Sequence, residues 1–450
     1  MSSKSKTFQP ALSLVKLFLV FIIIGALALK FLPGTTVEPI SMVDALFTAT
    51  SAVCVTGLVV ETTGEFFTLF GQIIILFLIQ VGALGYMALA SLLVLILGGG
   101  ISIKDKILVR QHMAGSKNIG FSSFILRVIG ITFTVQLIGA TILTWRIRPM
   151  FDSFRESLFY GIFHSVSAFS NAGFDLFETG QSLTGLNNDP VVVITVALLI
   201  IVGGIGYIVI NDILEYIKAY SLKGKHKFNI HTKIAITSTF CLLAGGTVVY
   251  FLAEYGNPNT MAGMPIFKKG LMAFFQSVTP RTAGFNMIDT GGLTDFSILF
   301  TLAFMFIGAS PGGTGGGIKT TTFVVLMSNI KAIIKEKRDL VLFKRRITVD
   351  TVKKSVTIFT LSVIFIICIS MLVSVFDSFS IKDILFEVTS AFGTVGLSTG
   401  ITGSLSDFSK LFIIFTMFFG RLGPLTIFSV IIQKAKRKKY RYPEQEIAVG

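Results

Sequence analysis

Gly57, Gly173, Gly284 and Gly396 stand 116, 111 and 112 residues apart, each with a phenylalanine ten residues upstream (Phe47, Phe163, Phe274, Phe386) and an apolar residue directly after it. The segments read Cys54-Val-Thr-Gly57-Leu, Ser170-Asn-Ala-Gly173-Phe, Arg281-Thr-Ala-Gly284-Phe and Gly393-Thr-Val-Gly396-Leu. What they offer is backbone chemistry. A cation stripped of water needs several oxygens at once, and four loops around one axis supply rings of carbonyls, with glycine letting successive C=O groups aim inwards. The candidate ion ligands are the carbonyls of Val55, Thr56, Gly57, Asn171, Ala172, Gly173, Thr282, Ala283, Gly284, Thr394, Val395 and Gly396. Plain turns also use glycine, but they do not require a matched position in four copies.

A second set of residues lies downstream of these segments. Gly82-Ala-Leu-Gly85, Gly203-Gly-Ile-Gly206, Gly308-Ala-Ser-Pro and Gly420-Arg-Leu-Gly423 form a shared glycine rung, which in the first two copies reads as close helix contact. The third copy continues as Ser310-Pro-Gly-Gly-Thr-Gly-Gly-Gly317, a run that cannot hold a helix at about 1 kcal/mol per Gly and 3 for Pro. A loop of few contacts is expected there, and this helix is expected to be the single broken one. A phosphate-binding loop is excluded because Ile318 stands where Gly must precede Lys319. Arg421 replaces the small residue after the fourth rung. A charge near mid-membrane costs about 2.5 to 3.5 kcal/mol and is a functional candidate by default, the alternative being an arginine that pins helices by bonding free carbonyls.

The elements that must carry these groups follow from composition. The 450 residues are 52% hydrophobic and 14% charged, with mean hydropathy +0.79, whereas a soluble chain carries about 25% charge. An ordinary soluble enzyme is excluded. Apolar spans at 12–32, 66–103, 128–145, 190–211, 234–253, 296–318, 355–376 and 411–432 each suit a membrane crossing of about 20 residues. The short segments before the glycines cannot cross and read as re-entrant helices. Ser41-Met-Val-Asp44, Ser153-Phe-Arg-Glu156 and Ser380-Ile-Lys-Asp383 cap three of them, and Pro265 suits the first turn of the other. The expected fold is an all-α integral membrane protein of eight transmembrane helices plus four re-entrant pore helices, in fourfold pseudosymmetric helix–pore loop–helix repeats. Residues 1–11 form an N-terminal segment, 12–97, 122–217, 232–330 and 355–433 the four repeats, 98–121, 218–231 and 331–354 the loops between them, and 434–450 a basic tail.

The net charge of +15 arises from 39 Lys and Arg against 24 Asp and Glu, and 27 of the 39 fall on one face, on the termini, the inter-repeat loops and the helix ends beside them. That asymmetry places both termini in the cytoplasm of a multi-pass cell-membrane protein. It reads as contact with anionic membrane lipids rather than nucleic acid. The opposite face carries Glu61, Glu65, Asp175, Glu178, Asp289 and Asp295 just beyond the glycines. These acids are either plain solvation or a weak attractive field for cations. Cys54, Cys241 and Cys368 are isolated in apolar runs, and His112, His164, His226 and His231 form no ligand cluster. No side-chain metal site and no enzyme activity are expected.

Thr394-Val-Gly396 resembles the start of a potassium-channel filter, and the fourfold plan over nearly the whole chain resembles the Trk/Ktr/HKT superfamily of potassium transporters. Thr279-Pro-Arg-Thr-Ala-Gly-Phe285 and Ser390-Ala-Phe-Gly-Thr-Val-Gly-Leu397 look most like the KtrB/KtrD type of membrane subunit. The resemblance implies K+ as the transported ion, since Gly57 stands where sodium-selective relatives have serine, and Na+ as a possible activator. It also implies a homodimer docked on a peripheral octameric ring of KtrA/KtrC-type subunits that bind ATP or ADP. Gly312, Gly313, Thr314, Gly315, Gly316, Gly317 and Arg421 match a loop and an arginine that obstruct ion flow beneath the filter. Three of the four segments depart from the channel motif, so weaker selectivity than a true potassium channel is expected. A sodium-selective or poorly selective channel is the main alternative. An alternating-access symporter fits less well, because the repeats are parallel.

Overall fold

The computed structural model describes residues 10–96, 121–177, 182–224, 227–337, 339–423 and 445. The expected segment 1–11 except its end, nearly all of loop 98–121, the second half of the span 411–432 and almost the whole tail 434–450 lie outside the described residues.

The fold is mostly helical. The first copy contains α1 (Pro10–Phe31), the short α2 (Met42–Cys54) and α3 (Leu69–Ile96). The second contains α4 (Phe121–Ile147), the short α5 (Phe154–Ser170), α6 (Pro190–Ile205) and α7 (Tyr207–Ser221). The third has α8 (Ile230–Glu254), the short α9 (Ile266–Val278), α10 (Asp295–Phe306) and α11 (Thr320–Ile334). The fourth has α12 (Val349–Phe376), the short α13 (Ile381–Gly393) and α14 (Asp407–Leu422). Among the described residues, α4, α8 and α12 are each long and apolar enough to cross a membrane, and α6 and α7 are so together. Among the described residues, the strands form one hairpin in the loop before α12, β1 (Val341–Leu342) paired antiparallel with β2 (Arg345–Arg346).

The short helices begin where their side chains dictate. Ser41 Oγ accepts from Asp44 N–H at 3.0 Å and donates to Asp44 Oδ2 at 2.7 Å, and Ser380 caps Asp383 in the same way. Ser153 accepts from Arg155 N–H, and Pro265 holds the cap position of α9, where no N–H is needed.

The packed interior has two halves. One draws on the first and fourth copies (Leu29, Phe47, Phe392, Ile413) and the other on the second and third (Phe169, Val196, Tyr250, Phe275). Leu137, Phe240, Leu252, Met371 and other large apolar side chains remain exposed on the outside. That is the arrangement of a protein whose solvent is lipid, where helices gain by close packing and not by hiding from water. The rung glycines serve that packing. A methyl group added at Gly82, Gly203 or Gly420 would lie 2.1, 1.9 or 1.9 Å from the carbonyl oxygen of Val53, Phe169 or Phe392 at the end of the neighbouring short helix.

Two expectations need correction. The third copy is interrupted between Phe306 and Thr320 as expected, but it is not the only break: α6 and α7 meet at a 97° bend, with Gly206 at φ +97° between them. The interrupting loop is also not poor in contacts. Ser310 N–H donates to Gly204 O at 3.0 Å, Thr314 N–H to Gly203 O at 3.2 Å, and Tyr207 N–H to Gly312 O at 3.0 Å. Each break leaves backbone groups without helical partners, and the two breaks satisfy one another's.

Candidate functional site

The four glycine segments share one backbone conformation. Two residues before each glycine lies a non-glycine residue in the left-handed region: Val55 (φ 56°), Asn171 (φ 58°), Thr282 (φ 69°) and Thr394 (φ 49°). The glycines follow at φ 92°, 70°, 77° and 89°, while the residue between keeps negative φ. This alternation of hand turns successive carbonyls to the same side of the strand, instead of to opposite sides as in ordinary extended chain. Left-handed backbone costs a β-branched residue such as Val55 or Thr394 roughly 1–2 kcal/mol and persists only where the surroundings over-determine it.

Those surroundings are visible. Each of α2, α5 and α13 ends in the left-handed residue, whose N–H and successor bond back into the last turn: Val55 N–H to Ala52 O, Thr56 N–H to Ser51 O, Asn171 N–H to Ala168 O and Thr394 N–H to Ala391 O. Ser51 and Ser390 Oγ each accept from the N–H of the glycine six residues on, at 3.1 Å, while Ser167 Oγ donates to Phe174 O at 2.7 Å. In the third copy Thr279 Oγ1 donates to Phe285 O at 2.6 Å. Asn171 Nδ2 ties the second segment to the third through Thr282 Oγ1 at 3.2 Å.

The segments close into a ring. A methyl group on Gly57 would sit 2.5 Å from Ala172 O, one on Gly173 2.8 Å from Ala283 O, one on Gly284 2.5 Å from Val395 O, and one on Gly396 2.2 Å from Thr56 O. Each glycine therefore faces the carbonyl that precedes the next glycine, and the fourth returns to the first. All twelve residues singled out from the sequence come together here, and Val55, Thr56, Asn171, Ala172, Thr282, Ala283, Thr394 and Val395 are fully buried. The ring has no room for a β-carbon.

The broken third copy lies directly against this ring. Gly316 N–H donates to Thr394 Oγ1 at 2.8 Å, and a methyl group on Gly315 would lie 1.8 Å from Thr282 Oγ1. Gly312 (φ 78°) and Gly317 (φ 65°) bound the loop, and Gly313 packs on Gly204 O. Arg421 donates to Thr314 O and to Gly82 O, spanning from the loop to the first rung. The arginine thus pins free carbonyls, as one expectation had it, and one of those carbonyls belongs to the loop.

Lys319 is a further cation at this place, its Nζ donating to Gly315 O at 2.6 Å and more weakly to Gly316 O at 3.4 Å. Its signal in the sequence was position: the first charge after the glycine run. The serines at Ser51, Ser167 and Ser390 were likewise legible, recurring six residues before three of the four glycines.

On the other side of the ring, Lys410 of α14 pairs with Asp44 of α2 at 2.7 Å. Burial pushes the Glu61 carboxyl above the usual glutamate range, Asp44 adds to this, Lys410 opposes it, and Glu38 adds again.

The profile of the TrkH family, described as cation transport protein, matches residues 4–440. The chain is 39% identical over 444 residues to the Ktr system potassium uptake protein B of Bacillus subtilis (strain 168), covering 98% of this chain and 97% of that protein. It is 36% identical over 453 residues to the potassium/sodium uptake protein NtpJ of Enterococcus hirae, covering 99% and 98% of the two. The crystal structure of the potassium transporter TrkH from Vibrio parahaemolyticus has a similar fold, with a TM-score of 0.73 at 19% identity over 97% of this chain and 87% of that one.

Proposed function

The chain belongs to the TrkH family of cation transport proteins, and from that premise we propose that it takes up potassium, down its electrochemical gradient, through the ring of four glycine segments. The observation that carries this reading is the closed ring itself: the carbonyls of Thr56, Ala172, Ala283 and Val395 each abut the glycine of the preceding segment, Thr56 meeting that of the fourth. A ring of four carbonyls from separate segments can replace the water around a cation, and the buried serine and threonine bonds hold it at one size. Relatives named as potassium uptake proteins support potassium as the ion. The name of the Enterococcus hirae relative supports a sodium link.

Gly312 to Gly317 form the gate, together with Arg421 and Lys319. Two basic side chains and a folded loop at the foot of a cation path oppose passage, and the loop's bonds to Gly203, Gly204 and Tyr207 make its release depend on the break at Gly206. The chain crosses the cell membrane eight times, with four re-entrant helices and both termini in the cytoplasm. The exposed apolar side chains and the uneven distribution of basic residues support this. It works as a homodimer on a nucleotide-binding ring. The word "system" in the relatives' names supports partner subunits, and no inner loop of this chain is long enough to fold as a sensor.

The test is growth of a potassium-uptake-deficient bacterium on low potassium. The parent restores growth. Gly57→Ser, whose β-carbon enters the 2.5 Å gap at Ala172 O, does not, or does so only with raised sodium entry. A parent that fails to restore growth while carrying sodium well contradicts the assignment of the ion.

A further inference from the structure

A cavity of about 310 Å³ lies outside the ring, between α8, α11 and the β1–β2 hairpin, with Ser238, Cys241 and Leu242 on one wall, Thr320 and Phe323 on another, and Phe343 closing one end. Its size is at the lower end for ligand sites, and its lining is almost wholly apolar, which leaves nothing to orient a polar metabolite. The residues after Phe343 are Lys344, Arg345 and Arg346, all exposed. Phe343 (φ 47°) and Lys344 (φ 62°) form the left-handed turn of the hairpin. Arg346 is engaged by Asp339 at 2.9 Å, whereas Lys344 and Arg345 have no such ion pair among the described residues. Val341 and Phe343 are themselves exposed beside these charges. Apolar and basic side chains interleaved on one short element is the pattern of a segment at the boundary between headgroups and acyl chains.

We propose that this cavity is a binding site for an anionic phospholipid, one acyl chain filling the space between α8 and α11 and the headgroup phosphate meeting Lys344 and Arg345. The inference rests on the membrane setting that the family assignment provides, not on the ion carried. Charge complementarity selects the occupant, because a neutral lipid fits the cavity equally well but gains nothing from the hairpin. The site touches the gate loop. Thr320, which lines the cavity, has its Oγ1 2.9 Å from Ser310 Oγ at the other end of the loop, so the occupant packs against the loop's anchor.

The experiment uses the full-length protein with Trp145, its single tryptophan, replaced by Phe and a reporter introduced as Phe343→Trp. If that variant does not fold, Leu242→Trp on the opposite wall serves. The protein is reconstituted in phosphatidylcholine vesicles carrying a minor fraction of brominated phosphatidylglycerol or, in parallel, brominated phosphatidylcholine. Phosphatidylglycerol quenches the reporter in excess of phosphatidylcholine. Lys344→Gln and Arg345→Gln each reduce that preference about fivefold, and Ser238→Phe, which fills the cavity, removes it. Equal quenching by the two lipids, or none by either because a second copy or another protein covers the cavity, overturns the proposal. Because the readout is binding, loss of potassium uptake with the lipid preference intact counts against the transport reading alone.

Discussion

The ring and the region beneath it are built by opposite rules. Around the ring the four copies agree: a left-handed residue at the same position, the same positive-φ glycine, and a buried hydroxyl fastening each segment from behind. Beneath it they differ. α3 keeps its helix through Gly82, α6 bends at Gly206, α10 gives way to a loop, and α14 carries Arg421 before Gly423 turns at φ 81°. Coordination of a spherical ion needs equivalent oxygens on every side, so departure in one copy weakens the whole ring. Obstruction of a path needs one object, so a single copy can supply it and the others can adapt to hold it.

The largest way to break this contrast is in the ring. Gly396→Ala places a β-carbon 2.2 Å from Thr56 O on backbone at φ 89°. Left-handed strain of about 1–2 kcal/mol corresponds to roughly a tenfold loss, so potassium-over-sodium preference, read as competing fluxes in vesicles, falls at least that much. Gly173→Ala, on the far side of the ring, falls similarly. An unchanged preference for either would mean the four copies are not equivalent.

Changes beneath the ring act on rate and leave preference alone. Deleting Gly313 to Gly316 raises flux several-fold with the ion preference retained. Arg421→Ala, which frees Thr314 O and Gly82 O, moves flux the same way by less, because Lys319 still holds Gly315 O. Unaltered flux and regulation in both variants would remove the loop from the account. The smallest effect is expected from Ser390→Ala. It removes one bond to the Gly396 N–H, worth about 1 kcal/mol, and lowers preference about fivefold without raising flux. A rise in flux from Ser390→Ala would blur the division between the two regions.

The legibility of the sequence follows the same division. Gly57, Gly173, Gly284 and Gly396 could be aligned by spacing, and Ser41 and Ser380 marked where helices begin, because a repeated local requirement writes itself into every copy. The bend at Gly206 could not be read. Gly203-Gly-Ile-Gly206 resembles the unbroken rung at Gly82-Ala-Leu-Gly85, and what decides between them is the Gly312 carbonyl, more than a hundred residues away, which accepts from Tyr207 N–H. The loop's rich bonding was hidden for the same reason, since its donors find acceptors on α6 and the ring and none of these are neighbours in sequence. The β1–β2 hairpin also escaped notice. Its turn residues, Phe343 and Lys344, are not the Asn and Gly that usually announce left-handed backbone.

On the proposed reading, four carbonyls, those of Thr56, Ala172, Ala283 and Val395, hold a dehydrated cation. Rubidium, a potassium-sized heavy ion, makes this directly visible: anomalous diffraction from crystals grown in rubidium chloride locates the ion without reference to function. The expected result is a peak on the axis of the ring within coordinating distance of all four oxygens, weakened when sodium replaces rubidium. Rubidium found elsewhere in the protein, with the ring empty, would contradict it.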